Sequence, residues 1–167
     1  MFQSLEEFYK SWEFESGGTQ KIIDAVTDES LAQPVTDDHR TLGRIAWHVV
    51  TAIPEMMNRT GLTVTSVAAE DALPKTAAEI QKKYADVSAE LRKKVESEWS
   101  DESLKAVDDM YGEQWPRGMT LGILINHQTH HRGQMTVLMR QAGLKVPGIY
   151  GPSLEEWEAY GMQAPPV

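Results

Sequence analysis

A chain of 167 residues is long enough to bury a full core as one domain, expected to span residues 1–167. Its 25 acidic against 16 basic side chains leave a net charge of −9, which opposes a nucleic-acid partner because phosphate affinity depends on Lys and Arg neutralising backbone charge. The absence of cysteine excludes disulfides, thiolate ligands and catalysis by the protein's own thiol, so any thiol chemistry must use a thiol from outside.

Met1-Phe2-Gln3-Ser4-Leu5-Glu6-Glu7 has neither a basic segment nor a hydrophobic signal core. No later run reaches the roughly eighteen apolar residues that span a bilayer. A cytoplasmic protein with no membrane partner is therefore expected. Leu5, Phe8, Tyr9, Trp12, Thr19, Ile22, Ile23 and Val26 keep one helical phase across Gly17-Gly18, which predicts one long helix with a weak spot rather than two. A polar connection broken by Pro34 follows. Leu42, Ile45, Ala46, Val49, Val50 and Ile53 then mark a second helix running to about Arg59, with Pro54 expected to bend it.

Leu62 to Pro74 reads as a loop, and Thr76-Ala77-Ala78-Glu79 is a capping-box signature opening a third helix on Ile80, Tyr84, Val87, Leu91 and Val95. A long connection from Trp99 to Gly118, of a length that is often functional or locally structured, precedes a fourth helix, predicted from near Met119 to Gly143 as its C′ residue. Ser153-Leu154-Glu155-Glu156 is expected to open a short last helix. The fold class is thus all-α, a four-helix bundle with a short extra C-terminal helix.

Three of the five histidines fall in Asn126-His127-Gln128-Thr129-His130-His131-Arg132-Gly133-Gln134. His127 and His131, one turn apart on one face, can aim ring nitrogens at one point, the spacing that gives zinc proteases two helical ligands. The intervening residues supply no glutamate base. At about 100° per residue the fourth-helix stripe centres on Leu121, Leu124, Gln128, Met135 and Met139, with His131 inside one edge and His127 at its rim. His48 borders the stripe of the second helix. Two readings stand on spacing alone: a metal site, or histidines hydrogen-bonded at the edge of a core. His130 and His39 read as surface residues. Glu55 and Glu113 are conceivable fourth ligands, and Gln134, near the His127 side of the wheel, reads as a hydrogen-bond donor supporting the site or as a polar residue at a helix–helix rim. Gly133 reads as permitting close helix approach, Arg132 as bridging an acidic neighbour or contacting substrate, and Trp47, Trp115 and Tyr150 as core or interface aromatics.

The run Leu42-Gly43-Arg44-Ile45-Ala46-Trp47-His48, followed much later by the histidine segment and by Leu138-Met139-Arg140-Gln141-Ala142-Gly143, resembles the DinB family of metal-dependent enzymes over essentially the whole chain. The most specific part is His130-His131-Arg132-Gly133-Gln134 with His127 ahead of it. The resemblance implies a dimeric four-helix bundle holding one divalent metal on His48, His127 and His131. Family relatives include thiol S-transferases using bacillithiol or mycothiol, and a maleylpyruvate isomerase. The family name records induction by DNA damage, not contact with DNA.

From these readings the expected protein is a homodimeric, metal-dependent enzyme that transfers a low-molecular-weight thiol to an electrophilic small molecule. The alternatives are a metal-dependent hydrolase and a non-enzymatic metal- or ligand-binding stress protein. Three imidazoles leave coordination positions for a metal-bound water or thiol as the reactive group. Zn is the first expectation for the ion, with Ni, Mn or Fe also accepted by such ligands. Because the ligands must be deprotonated, metal is expected to be lost below about pH 6.5, the ordinary histidine pKa.

Overall fold

The structure is a computed structural model that describes residues 1–166. Ser4 opens α1 (Leu5–Asp24), its hydroxyl accepting the Glu7 N–H at 3.3 Å, and Glu6 and Glu7 complement the positive end of the helix. The helix runs unbroken through Gly17-Gly18, as the apolar phase predicts. Thr41 caps α2 (Leu42–Met57), which continues through Pro54 and ends in a 3-10 turn at Asn58–Thr60 before Gly61 in the left-handed region. Thr76 and Glu79 form the reciprocal capping box of α3 (Ala77–Glu98). α4 (Arg117–Gln141) closes as predicted: Gly143 has φ 75°, its N–H reaches the Arg140 carbonyl at 3.0 Å, and the Leu144 N–H reaches the Met139 carbonyl at 2.9 Å.

Among the described residues these four helices carry the fold, with α1 and α2 each packed on both α3 and α4. Consecutive helices α1 and α2 therefore stand across the bundle from one another. The predicted stripe residues Leu121, Leu124, Gln128, Met135 and Met139 are all buried, against Phe8, Leu42, Ile53, Tyr84 and Leu91 from the other three helices. Within this core the Tyr84 hydroxyl of α3 donates to Gln128 Oε1 of α4 at 2.8 Å. No helix among the described residues is long and apolar enough to cross a membrane.

Two segments take forms that the apolar periodicity does not specify. The connection from Trp99 to Gly118 is not a plain loop: a 3-10 turn at Asp101–Lys105 leads into an antiparallel hairpin, β1 (Val107–Met110) and β2 (Glu113–Pro116), with Met110 opposite Glu113. Its two-residue turn places Tyr111 (φ 62°) and Gly112 (φ 86°) both in the left-handed region, matching the twist of the strands. The expected short C-terminal helix is a single 3-10 turn, Trp157–Tyr160. The Glu156 carboxylate does accept the Ser153 N–H at 2.9 Å, as a capping residue would, but Gly161 turns left-handed five residues later. So short a span leaves no room for helix propagation to offset nucleation.

Candidate metal centre

α2 and α4 pack side by side, and that contact brings His48 of α2 against His127 and His131 of α4. The His127 Nε2 lies 3.1 Å from His48 Nε2 and 3.1 Å from His131 Nε2. The three rings meet edge to face, with centroids 4.4–4.9 Å apart. Two ligands about 2.0–2.1 Å from one ion, at coordination angles of about 90–110°, stand roughly 2.8–3.4 Å apart. Both separations from His127 fall in that window and all three donor atoms lie within 4.8 Å of one another, so the three-histidine group is compatible with a metal ion. Protons account for the cluster less well. Each imidazole nitrogen has a single in-plane site, so His127 Nε2 cannot make good hydrogen bonds to both neighbours at once.

Gln134, one turn beyond His131, accepts from His131 Nδ1 at 2.7 Å. That bond places the proton on Nδ1 and turns the Nε2 lone pair into the cluster; Gln134 thus accepts from His131 rather than donating on the His127 side, where the helical wheel puts it. His127 Nδ1 is buried and has no partner among the described residues.

Burial pushes the His48 pKa down to about 4, helped by the charges of His131 and Arg40 and opposed by Glu55. His127 falls to about 4 through burial, then through His131, His48 and His130. His131 is also lowered, chiefly by burial, with Gln134 pulling the other way. All three are therefore neutral donors at neutral pH. Proton competition at all three therefore sets in below the pH 6.5 expected of ordinary histidines.

No fourth side chain joins the group among the described residues. The Glu55 carboxylate is taken by the Tyr111 hydroxyl at 2.6 Å and by Arg59 at 3.0 Å, and Glu113 by the Trp115 indole N–H at 2.7 Å. Space opens on both flanks instead. A cavity of about 300 Å³ reaches His48, beside Arg40, Arg44, Trp47 and Thr51. A second, of about 490 Å³, reaches His131 and Gln134 and is walled by Val35, Ile45 and Val137.

His130 and His39 stand outside the cluster and are exposed, as expected. His39 Nδ1 instead pairs with the Thr36 hydroxyl. Arg132 takes the salt-bridge role: it is buried and meets Glu15 Oε2 at 2.6 Å, the Thr19 hydroxyl at 3.1 Å and the Tyr150 hydroxyl at 2.6 Å. Trp47 is a core residue with its indole N–H on the Asp71 carbonyl at 2.9 Å, while Trp115 is half-buried and Tyr150 exposed. A Cβ added at Gly133 would meet nothing within 4 Å, so close helix approach does not explain this glycine. The sequence reading does not single out Arg40, which borders both cavities; its place in a polar run next to the second helix is the one available signal.

The fold and the histidine group define a helical bundle with a candidate three-histidine metal centre between two of its helices. The DinB family model matches residues 1–165, and the chain belongs to the DinB family. It is 49% identical over 165 residues to the "Uncharacterized protein YrdA" of Bacillus subtilis (strain 168), covering 99% of each chain. It is similar to the crystal structure of a DinB-like protein from Bacillus cereus ATCC 10987, with TM-score 0.87 and 47% identity over 90% of this chain and 100% of that one. A second DinB-like structure, YjoA of Bacillus subtilis, shares the fold alone, with TM-score 0.66 and 14% identity over 86% of this chain and 97% of that one.

Proposed function

We propose that the protein is a metal-dependent enzyme in which His48, His127 and His131 hold one divalent ion, Zn first among the candidates, and that it transfers a low-molecular-weight thiol to an electrophilic small molecule. The observation that carries this reading is the convergence of three neutral Nε2 atoms beside two open cavities with no fourth protein ligand among the described residues. A structural ion is normally closed by four protein ligands, whereas a catalytic one keeps positions for exchangeable groups. A divalent ion there supplies Lewis acidity that lowers the pKa of a bound thiol or water. The chain's own part is to present three uncharged donors, with Gln134 fixing the His131 ring, and to leave the thiol position uncontested because it has no cysteine. In the transfer, the thiol loses its proton to solvent, its sulfur forms a bond to the electrophilic carbon, and the leaving group departs with the electron pair of the broken bond.

The protein is also proposed to be a homodimer, supported by family membership and by the exposed Phe14, whose ring packs on exposed Tyr150 at 5.8 Å. Sedimentation giving a concentration-independent mass of 18.7 kDa would refute that.

The test of the enzyme reading strips the protein with chelator and titrates Zn(II) into wild type and His131→Ala. Each is then assayed with a panel of small thiols and 1-chloro-2,4-dinitrobenzene, releasing chloride. One equivalent of Zn bound by wild type alone, with Zn- and thiol-dependent turnover, is expected. Turnover of esters without thiol would favour a hydrolase. Unfolding of the metal-free chain with no turnover would favour a structural or binding role.

A further inference from the structure

Seven arginines occur in the chain, and five of them, Arg59, Arg92, Arg117, Arg132 and Arg140, pair with a carboxylate. Arg40 and Arg44 make no ion pair among the described residues, and both border the cavity that reaches His48. Arg40 alone of the two also borders the cavity that reaches His131. It lies close enough for its charge to be felt by both histidines. The larger cavity is otherwise mostly apolar on its walls: Val35, Ile45 and Val137 face it, and Val35 and Val137 are 56% and 55% exposed although they are large aliphatic side chains. A free guanidinium, an apolar wall and a candidate metal centre thus share one cleft between the start of α2 and the middle of α4.

We propose that this cleft binds a small organic carboxylate with an apolar body. The carboxylate sits on Arg40, whose planar fork of N–H donors matches two carboxylate oxygens, and the apolar body lies against Val35, Ile45 and Val137, beside His131. The nearest acids do not close the site to an anion. Among the described residues Asp38 is the single carboxylate of the larger cavity, and it makes no ion pair with Arg40. Glu70 and Asp71 stand in the smaller cavity, where Asp71 accepts the Ala68 N–H at 3.0 Å, and two arginines face them. The inference names the substrate class of the proposed enzyme and so rests on that reading for its chemistry, but the anion site itself needs only Arg40 and the apolar wall.

The experiment measures binding of 4-phenylbutyrate and of its neutral amide to the full-length protein by calorimetry, in Zn-loaded and chelator-treated samples, for wild type, Arg40→Gln and Val137→Asn. The carboxylate is expected to bind wild type at least tenfold more tightly than the amide, with or without Zn. Arg40→Gln should erase that preference, and Val137→Asn should weaken both compounds severalfold. Arg40 is exposed and makes no ion pair among the described residues, so its replacement leaves the fold intact, which circular dichroism checks. Equal affinity of wild type for acid and amide overturns the proposal. So does a preference for the acid that survives Arg40→Gln and vanishes with chelator, because the anion would then be binding the ion. Failure of the metal reading is seen separately, as absence of a Zn site in the His131→Ala comparison.

Discussion

Arg132 is the most deeply buried charge among the described residues, its side chain 3% exposed against 14% for Glu15, and its replacement by Met tests how the bundle is held. Arg132→Met keeps the length of the stem but removes the donors to the Glu15 carboxylate, the Glu15 carbonyl at 2.9 Å, Thr19 and Tyr150. Removing one partner of a buried pair costs about 3–5 kcal/mol, because the other charge is left uncompensated. Glu15 keeps the Tyr150 hydroxyl at 2.7 Å and touches solvent, so the lower end, roughly 3 kcal/mol, is expected. For a chain of this size that corresponds to a fall in Tm of about 6–12 °C. Urea unfolding of metal-free protein followed by circular dichroism measures it. Glu15→Gln combined with Arg132→Met should recover most of the loss, since replacing both members of a buried pair is often near neutral. A single variant within about 0.5 kcal/mol of wild type, the usual range for surface changes, would refute the reasoning.

The paired glycines of α1 should respond oppositely to alanine. Gly17 has nothing within 4 Å of an added Cβ, so Gly17→Ala should stabilise by about 0.5–1 kcal/mol through helix propensity, whereas Gly18→Ala should destabilise in the same urea assay because its Cβ would lie 2.8 Å from Ile149 and 3.2 Å from Arg132. Gln134→Ala frees the His131 ring and should weaken Zn binding about 10–100-fold in a chelator competition. The histidine pKa values set a pH window. Between the unfolded value of 6.5 and about 4 the unfolded chain binds more protons at His48 and His127, so metal-free stability should be level above pH 6.5 and fall as the pH drops toward 4. Urea midpoints at stepped pH check this, and the fall should shrink in His48→Gln/His127→Gln.

The three histidines can be picked out of the sequence because a one-turn spacing and an apolar phase are both written locally in α4, and the phase of α2 puts His48 at a core edge. The bonds that give those positions their meaning are long-range. Arg132 and Glu15 lie 117 residues apart, and Tyr84 and Gln128 lie 44 apart, so no window on the sequence shows that they meet. The hairpin escapes a sequence reading because strands of four residues carry only two periods of alternation, too few to distinguish from irregular chain. The cleft at Arg40 escapes it because it depends on how the chain enters α2: Pro34 bridges Thr41, and the Leu42 N–H reaches the Gln33 carbonyl at 2.8 Å, which folds the segment carrying Val35 and Arg40 back beside His131.

One stretch of α4 serves both the centre and the scaffold. His127, His131 and Gln134 face α2, while Gln128 and Arg132 reach α3 and α1 from adjacent positions about 100° round the helix. Fixing Arg132 on Glu15 therefore fixes the rotation of α4 about its own axis. A rotation of about 20° would move a Cα, at a radius of about 2.3 Å, by roughly 0.8 Å, and ring nitrogens farther from the axis by more. Metal–ligand distances tolerate about 0.2 Å. A buried ion pair that contributes little net stability can thus hold a geometry that an apolar replacement would leave loose. The Glu15→Gln/Arg132→Met variant separates the two roles: it is expected to unfold near the wild-type midpoint yet bind Zn about tenfold more weakly in chelator competition, the scale of change seen when groups orienting metal ligands are lost. Wild-type Zn affinity in that variant would show that packing alone sets the rotation of α4.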